Sequence, residues 1–539
     1  MNTKPILRYT AATLAALAVL ACSKDDTAEP GTPETPDTTA PFTITATMDD
    51  APETRVSASD DGANKIELKW QVNDKIYVVN SSETGTASAG TLYTFIAQNV
   101  SSDGKTASFT CADYPEDATP AFAIHQGQQP YGSSFNPTNV SVLRLEYSSS
   151  TASLLYSKQF PLWAQYDSET RLLKFKPFNA VLKLTLPEGA SGTLSQVRIG
   201  SADGSQIFYS GSFDITSGEA VRKGSAMTSR INLQGFSSFT GNTKQSIYLS
   251  FSPGTELSGQ ALEIGLVAGN SVYTATIRGA NLEAGKCYPL TLGAAKWTAR
   301  KIYEGGTGAA GSPFEMANET NLRALACAVR VGETYYGKYF KLTGDISGIR
   351  TSEAEPWLPI GSDECYFGGN FDGNGHTVSG TFYLSDKAGY SLGFFGEIYN
   401  SKLSNLTLKG DVIYNGSNST TTCLGAIAGK CNGSSTITGC TRSDGTISAN
   451  TPNASLYAGG IAGYLYQSSS AMHTCRNECD IAVMGNFVYA GALAGLNRGK
   501  VYSCSIFPED LTITVNGTPQ NPAKAIGGGN SVDETSHTD

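Results

Sequence analysis

Five short glycine-bounded runs recur in the last third of the chain. "GFFG" ends at Gly396, "GAIAG" at Gly429, "GGIAG" at Gly463, "GALAG" at Gly495 and "IGGG" at Gly529, at intervals of 33, 34, 32 and 34 residues. A fixed period of this length marks stacked repeats, because a single repeat cannot bury its own apolar side chains and must lay them against the next. The segments between the runs are Ser, Thr, Asn and Gly with short β-branched stretches, which no helical repeat accommodates. The spacing therefore predicts a parallel β-helix, with glycines where backbones approach closely or turn with positive φ.

The same period gives the cysteines a place. Cys440, Cys475 and Cys504 lie 11, 12 and 9 residues after the closing glycine of their repeat, where Leu406 lies at 10 in the first. They are expected to form an inward column of small apolar side chains, and disulfides between neighbouring turns are compatible with the spacing. Ahead of the stack, "TNLRALACAV" puts Leu322, Leu325, Ala326 and Val329 on one helical face with Thr320 as N-cap. Such a short helix suits the open end of a solenoid, whose first strand otherwise exposes a pairing edge.

From Phe42 onward the pattern is period two. "FTITATM", "KIELKWQVNDKIYVVN" and "TLYTFIAQNVSSDGKTASFTC" alternate around Asn73-Asp74 and Asp103-Gly104 turns. In "LLKFKPFNAVLKLTL" Phe178, Ala180, Leu182, Leu184 and Leu186 share a face. The expected fold is all-β: two tandem antiparallel β-sandwiches over 42–160 and 161–293, a linker over 294–312, a β-helix with its capping helix over 313–531, and a polar tail over 532–539.

The N-terminus reads as an export segment. Lys4 and Arg8 precede an apolar run from Ala11 to Ala21 that is short for a membrane span, so 1–21 is expected to be a signal peptide. Val19-Leu20-Ala21-Cys22 is similar to a bacterial lipobox, which implies acylation of Cys22 and anchoring in outer-membrane lipid. Residues 22–41 hold Pro30, Pro33, Pro36 and Pro41 among Thr, Asp and Glu, and are expected to form an acidic disordered linker.

Charge and motifs narrow the chemistry. Losing Lys4 and Arg8 takes the formal charge from -10 to -12, and no basic run tracks phosphates, so nucleic acid is not an expected partner. The four histidines are scattered, and no P-loop, G-x-S-x-G, H-E-x-x-H or EF-hand pattern occurs. Asp363, Glu364 and Asp372 in "SDECYFGGNFDGNGH" are the carboxylates to weigh for glycan cleavage, but Asp372-Gly373-Asn374-Gly375 is also what a tight turn requires. No catalytic residue, metal or cofactor is assigned, and the protein is expected not to be an enzyme.

Two resemblances add to this. Thr54-Arg55, Trp70, Asn73-Asp74-Lys75-Ile76, Pro161-Leu162-Trp163-Ala164, Phe175 to Leu186 and Ala284-Gly285-Lys286-Cys287-Tyr288-Pro289-Leu290 occur in an order that resembles the fimbrillin-like lipoproteins of Bacteroidetes. That family implies an export signal at Ser23, Lys24, Asp25 and Asp26, and proteolysis after Arg55 that removes "FTITATM" and opens a groove for a neighbouring fimbrial subunit's strand. "WLPIGSDECYFGGNFDGNGHTVSG" with the G-Φ-A-G runs resembles the GLUG-motif β-helix of bacterial surface proteins. Together they imply a surface-exposed outer-membrane lipoprotein, an adhesin or tip-like fimbrial subunit that binds an unidentified protein or glycan. The alternatives are glycan capture for a polysaccharide uptake system, with Tyr457, Tyr464, Tyr466 and Tyr489 as contacts, and a lyase or peptidase accessory.

Overall fold

The structure, a computed structural model, describes most of residues 41–529. It leaves aside 1–40, 530–539 and several internal stretches, chiefly 49–58, 61–65, 82–89, 126–133, 142–146, 150–161, 203–207, 235–245 and 252–256. Cys22, Ser23 to Asp26 and Arg55 lie outside the described residues.

Seven strands of the first unit close on one another. In sheet order they are Phe42–Met48, Leu172–Pro177, Leu162–Asp167, Pro120–His125, Lys75–Asn80, Tyr93–Val100 and Thr106–Cys111. Closure is made by Phe42–Met48, which pairs antiparallel with Thr106–Cys111 and parallel with Leu172–Pro177. The strands after residue 160 thus complete the first unit rather than start the second. Alternation fixes which face of a strand is buried and says nothing about which sheet it joins. Inside, Trp70 is buried edge-on to Phe109, Phe175 and His125, at 4.9, 5.2 and 5.5 Å between ring centroids.

The second unit packs a four-stranded sheet containing Ala180–Thr185 and Ser246–Phe251 on a five-stranded one. The five-stranded sheet runs Arg230–Gln234, Leu194–Ser201, Ala261–Ala268, Ser271–Arg278 and Thr298–Lys301. Leu184, Val197, Ile199, Leu249, Ile264 and Leu266 fill the space between. Thr298–Lys301 lies in the stretch expected to be a linker, yet it pairs with Ser271–Arg278, and Tyr303 stacks on Phe314 at 3.9 Å. The connection is folded into both neighbours.

The solenoid is parallel, turn on turn. One of its sheets stacks Phe395–Tyr399, Ala428–Asn432, Ala462–Leu465, Ala494–Asn497 and Ile526–Gly529, so the G-Φ-A-G runs lie directly above one another. The register matches Gly396, Gly429, Gly463 and Gly495, but Ala494 pairs with Ile526, which makes Gly527 rather than Gly529 the last equivalent glycine. A Cβ on Gly429, Gly463, Gly495 or Gly527 would lie 2.3 to 2.6 Å from a backbone nitrogen of the preceding turn. Leu403, Ile437, Met472 and Val501 form one buried column in register. The Leu406, Cys440, Cys475 and Cys504 column is also present, fully buried except at Cys504, and the described cysteines are free thiols. Each of its members follows a corner residue of positive φ: Asn405 (52°), Gly439 (60°), Thr474 (57°) and Ser503 (53°).

A helix covers the first turns of the stack. Glu319–Val331 is the α-helix among the described residues; its N-cap is Asn318, whose side chain accepts from the Asn321 N–H, so Thr320 lies inside the first turn. Gly332, at φ 122°, ends it. Leu322, Leu325, Ala326 and Val329 are buried as the pattern implies, but so are Ala324, Ala328 and Val331. The helix is packed on two sides: one against the first solenoid turns, the other against Ala261–Ala268, where Gly265 has no room for a Cβ beside Val331. Asn321, fully buried, ties it down by accepting from Ala317 N–H and donating to Lys301 O and Glu304 Oε1. At the far end, Ile513–Val515 turns back on itself as an antiparallel hairpin with Thr518–Gln520, which ends the parallel pairing of that sheet, while Ile526–Gly529 adds a further parallel strand to the sheet of the G-Φ-A-G runs.

Candidate functional site

Strand stacking turns a residue type that recurs at the repeat period into a row. Cys423, Tyr457 and Tyr489 are consecutive register partners, and Glu397, Lys430, Tyr464 and Leu496 form the row beside them. The two rows meet: Tyr457 lies edge-on to Tyr464 at 5.5 Å and tilted against Tyr489 at 5.6 Å. Tyr466 stands edge-on to Tyr464 at 5.3 Å, and Phe487 extends the cluster past Tyr489 at 4.9 Å. Such edge-to-face contacts satisfy the ring quadrupoles and hold the side chains in place.

Cations border the cluster. Lys430 Nζ lies 4.8 Å from the Tyr466 ring centre and the Arg498 guanidinium 5.7 Å from that of Tyr464. Lys430 is also fixed by an ion pair of 3.0 Å to Glu397, which accepts a second bond of 2.7 Å from Asn432. Burial lifts the Glu397 carboxyl above its ordinary value, against the pull of Asn432 and Lys430. Burial likewise raises the phenols of Tyr457 and Tyr464, which stay neutral and able to donate.

All four tyrosines singled out in the sequence are therefore brought into one cluster, with unequal roles. Tyr466 is exposed, Tyr457 and Tyr489 are half-buried, and Tyr464 is buried and packs beneath the others with Cys423 and Leu496. Phe487, 52% exposed, was not singled out, although its place two residues before Tyr489 puts it on the same face of a strand. Ring faces of this kind suit the C–H faces of sugars, and the phenol and cationic groups around them suit hydroxyls.

The carboxylates of the first turns have structural partners. Asp363 accepts from the N–H groups of Tyr390 and Ser391 at 2.7 and 2.9 Å and from Ser391 Oγ at 2.5 Å. Asp372 accepts from Asn374 N–H and Asn405 Nδ2 at 2.9 and 3.0 Å, as its turn position requires. Glu364 pairs with Arg230 on the second unit. The three thus have separate partners, and no group of three or more potential metal ligands occurs among the described residues.

The class these features define is a β protein of tandem units followed by a parallel solenoid. Residues 54–305, the stretch that holds both β units apart from the strand Phe42–Met48, match the model of the Fimbrillin-like family. A solved structure of a candidate cell adhesion protein from Bacteroides ovatus is similar at 17% identity, covering 49% of this chain and 96% of that one with a TM-score of 0.30, a level that carries no argument of its own. No curated protein matches the chain.

Proposed function

We propose that the protein is a surface adhesin, held to the outer membrane by an acylated Cys22 and exported under the Ser23–Asp26 signal, whose solenoid flank contacts a glycan. The observation that carries this reading is the fimbrillin-type region joined to a solenoid on which Tyr457, Tyr466, Phe487 and Tyr489 form one partly exposed aromatic cluster. Each ring offers a weak contact, and many copies on one surface multiply them. The protein acts by binding rather than by catalysis.

Tyr466 and Phe487 are exposed enough to remove without disturbing the core. On a glycan array, the Tyr466→Ala/Phe487→Ala protein is expected to lose about tenfold or more of the affinity of the parent, with unchanged thermal unfolding. Equal binding by the two proteins would refute the flank as the contact surface. The same cluster also favours a second reading, capture of glycans for an uptake system; a deletion strain that adheres normally but grows poorly on the bound glycan would select it.

Assembly into a fimbrium is the further part of the proposal. Phe42–Met48 sits between Thr106–Cys111 and Leu172–Pro177, so its release would expose two strand edges to a neighbouring subunit's donated strand. Treatment of surface-displayed protein with an arginine-specific protease is expected to give a new N-terminus at Val56, and Arg55→Ala to abolish it. An unchanged N-terminus would remove the assembly step.

A further inference from the structure

A recess lies where the second unit, the helix and the first solenoid turns meet. It has a volume of about 530 Å³ and is bounded by Ala261–Ala268, Ser271–Arg278, the end of Glu319–Val331 and the loops around residues 356–358 and 385–388. In a chain of net charge -10, its charged lining is Arg198, Lys296, Arg330 and Lys387 against a single carboxylate, Glu263. The rest of the wall is mostly threonine, alanine and aliphatic.

Arg198 is the unusual member. It is 6% exposed, and one of its terminal nitrogens donates to Arg330 O at 2.7 Å, while its buried Nε has no partner. A buried guanidinium with an unused donor is costly unless something accepts from it. Glu263 does not fill that role, since it accepts from Arg330 at 3.4 Å. Arg230, close by, is paired with Glu364. Burial, and then Arg330 and Arg230, pull the Arg198 guanidinium down to about 10, the behaviour of a cation short of negative charge.

We propose that this recess binds a carboxylate carried on a sugar-sized body, an acidic sugar, with the carboxylate on Arg198 and the cations at the rim drawing it in. The volume lies in the range of small-ligand sites, and a planar guanidinium suits the two oxygens of a carboxylate. The site is separate from the aromatic flank, so it stands whether or not the flank binds glycans. Because it is built from three parts of the chain, only the intact protein contains it.

The test is calorimetric titration of the full-length protein with D-glucuronate and, in parallel, D-glucose. Glucuronate is expected to bind, with affinity falling as salt rises, and glucose not to. Lys296 and Lys387 are exposed, so the Lys296→Gln/Lys387→Gln protein keeps its fold and is expected to bind glucuronate several-fold more weakly. Arg198→Lys, which keeps a charge but loses the fork, is expected to lose at least about tenfold. Tyr466→Ala should leave glucuronate binding unchanged. Equal heats from the two sugars, or glucuronate affinity untouched in both cleft variants, would overturn the proposal.

Discussion

Replacing Gly463 with alanine is expected to destabilise the solenoid by about 3 kcal/mol or more, because the added methyl has nowhere to go. Its Cβ would sit 2.5 Å from Leu424 N, 2.6 Å from Gly429 O and 2.7 Å from the Cys423 carbonyl carbon, all backbone atoms of adjacent turns. Backbone in a stacked ladder cannot yield as a side chain tip does, since moving one turn breaks its hydrogen bonds to both neighbours. Gly344→Ala is the matched control: no heavy atom lies within 4 Å of the methyl it would add, and the change is expected to stay within about 0.5 kcal/mol. Urea unfolding of the two variants, followed by limited proteolysis to locate the opened segment, makes the comparison. Equal midpoints would mean that the turns do not approach as closely as the register requires.

The second large effect belongs to Arg442. Its register partners in the neighbouring turns are Leu408 and Asn477, so it occupies an inward column, and it is fully buried. There it donates to four carbonyls: Leu408 O at 3.3 Å, Ser443 O at 3.0 Å, Asp444 O at 2.6 Å and Gly410 O. Burial depresses its pKa, with Cys479, Asp411 and Asp444 opposing that shift. Arg442→Met keeps much of the volume but removes the guanidinium's four donated bonds, although Asp444 O retains the Gly410 N–H, and the expected loss is about 3–5 kcal/mol. Arg442→Lys keeps the charge and should fall between, because one ammonium cannot reach the same set of oxygens. A urea midpoint for the methionine protein equal to that of the parent would show the guanidinium to be dispensable.

These two residues also mark where sequence reasoning succeeds and where it stops. The glycine period is legible because stacking imposes one residue choice at one spacing, and the cysteine column follows from it. Only the last turn is misjudged, since "IGGG" offers three glycines and the register alone selects Gly527. Arg442 is not legible: a buried arginine in a Leu408-type position breaks the apolar pattern, and nothing local announces the carbonyls that await it. Barrel closure escapes for a related reason, as Leu162–Asp167 and Leu172–Pro177 alternate equally well in either unit. The helix was legible in its Leu322–Val329 stripe, while the burial of Ala324, Ala328 and Val331 depends on a second partner that arrives from far along the chain. At the aromatic flank, the residue types pointed to the right place, but only packing separates buried Tyr464 from exposed Tyr466.

The strand that closes the first unit has a mechanical consequence. Phe42–Met48 runs parallel to Leu172–Pro177, so the point where tension enters an uncleaved chain, at Phe42, and the point where the chain leaves toward the second unit, after Pro177, lie at opposite ends of one strand pair. Pulling on them slides the two strands along each other and loads their hydrogen bonds together, instead of unzipping them one at a time. Under the anchoring and assembly proposed above, the same peptide whose release would open the unit is, while it remains in place, the clamp that carries the load.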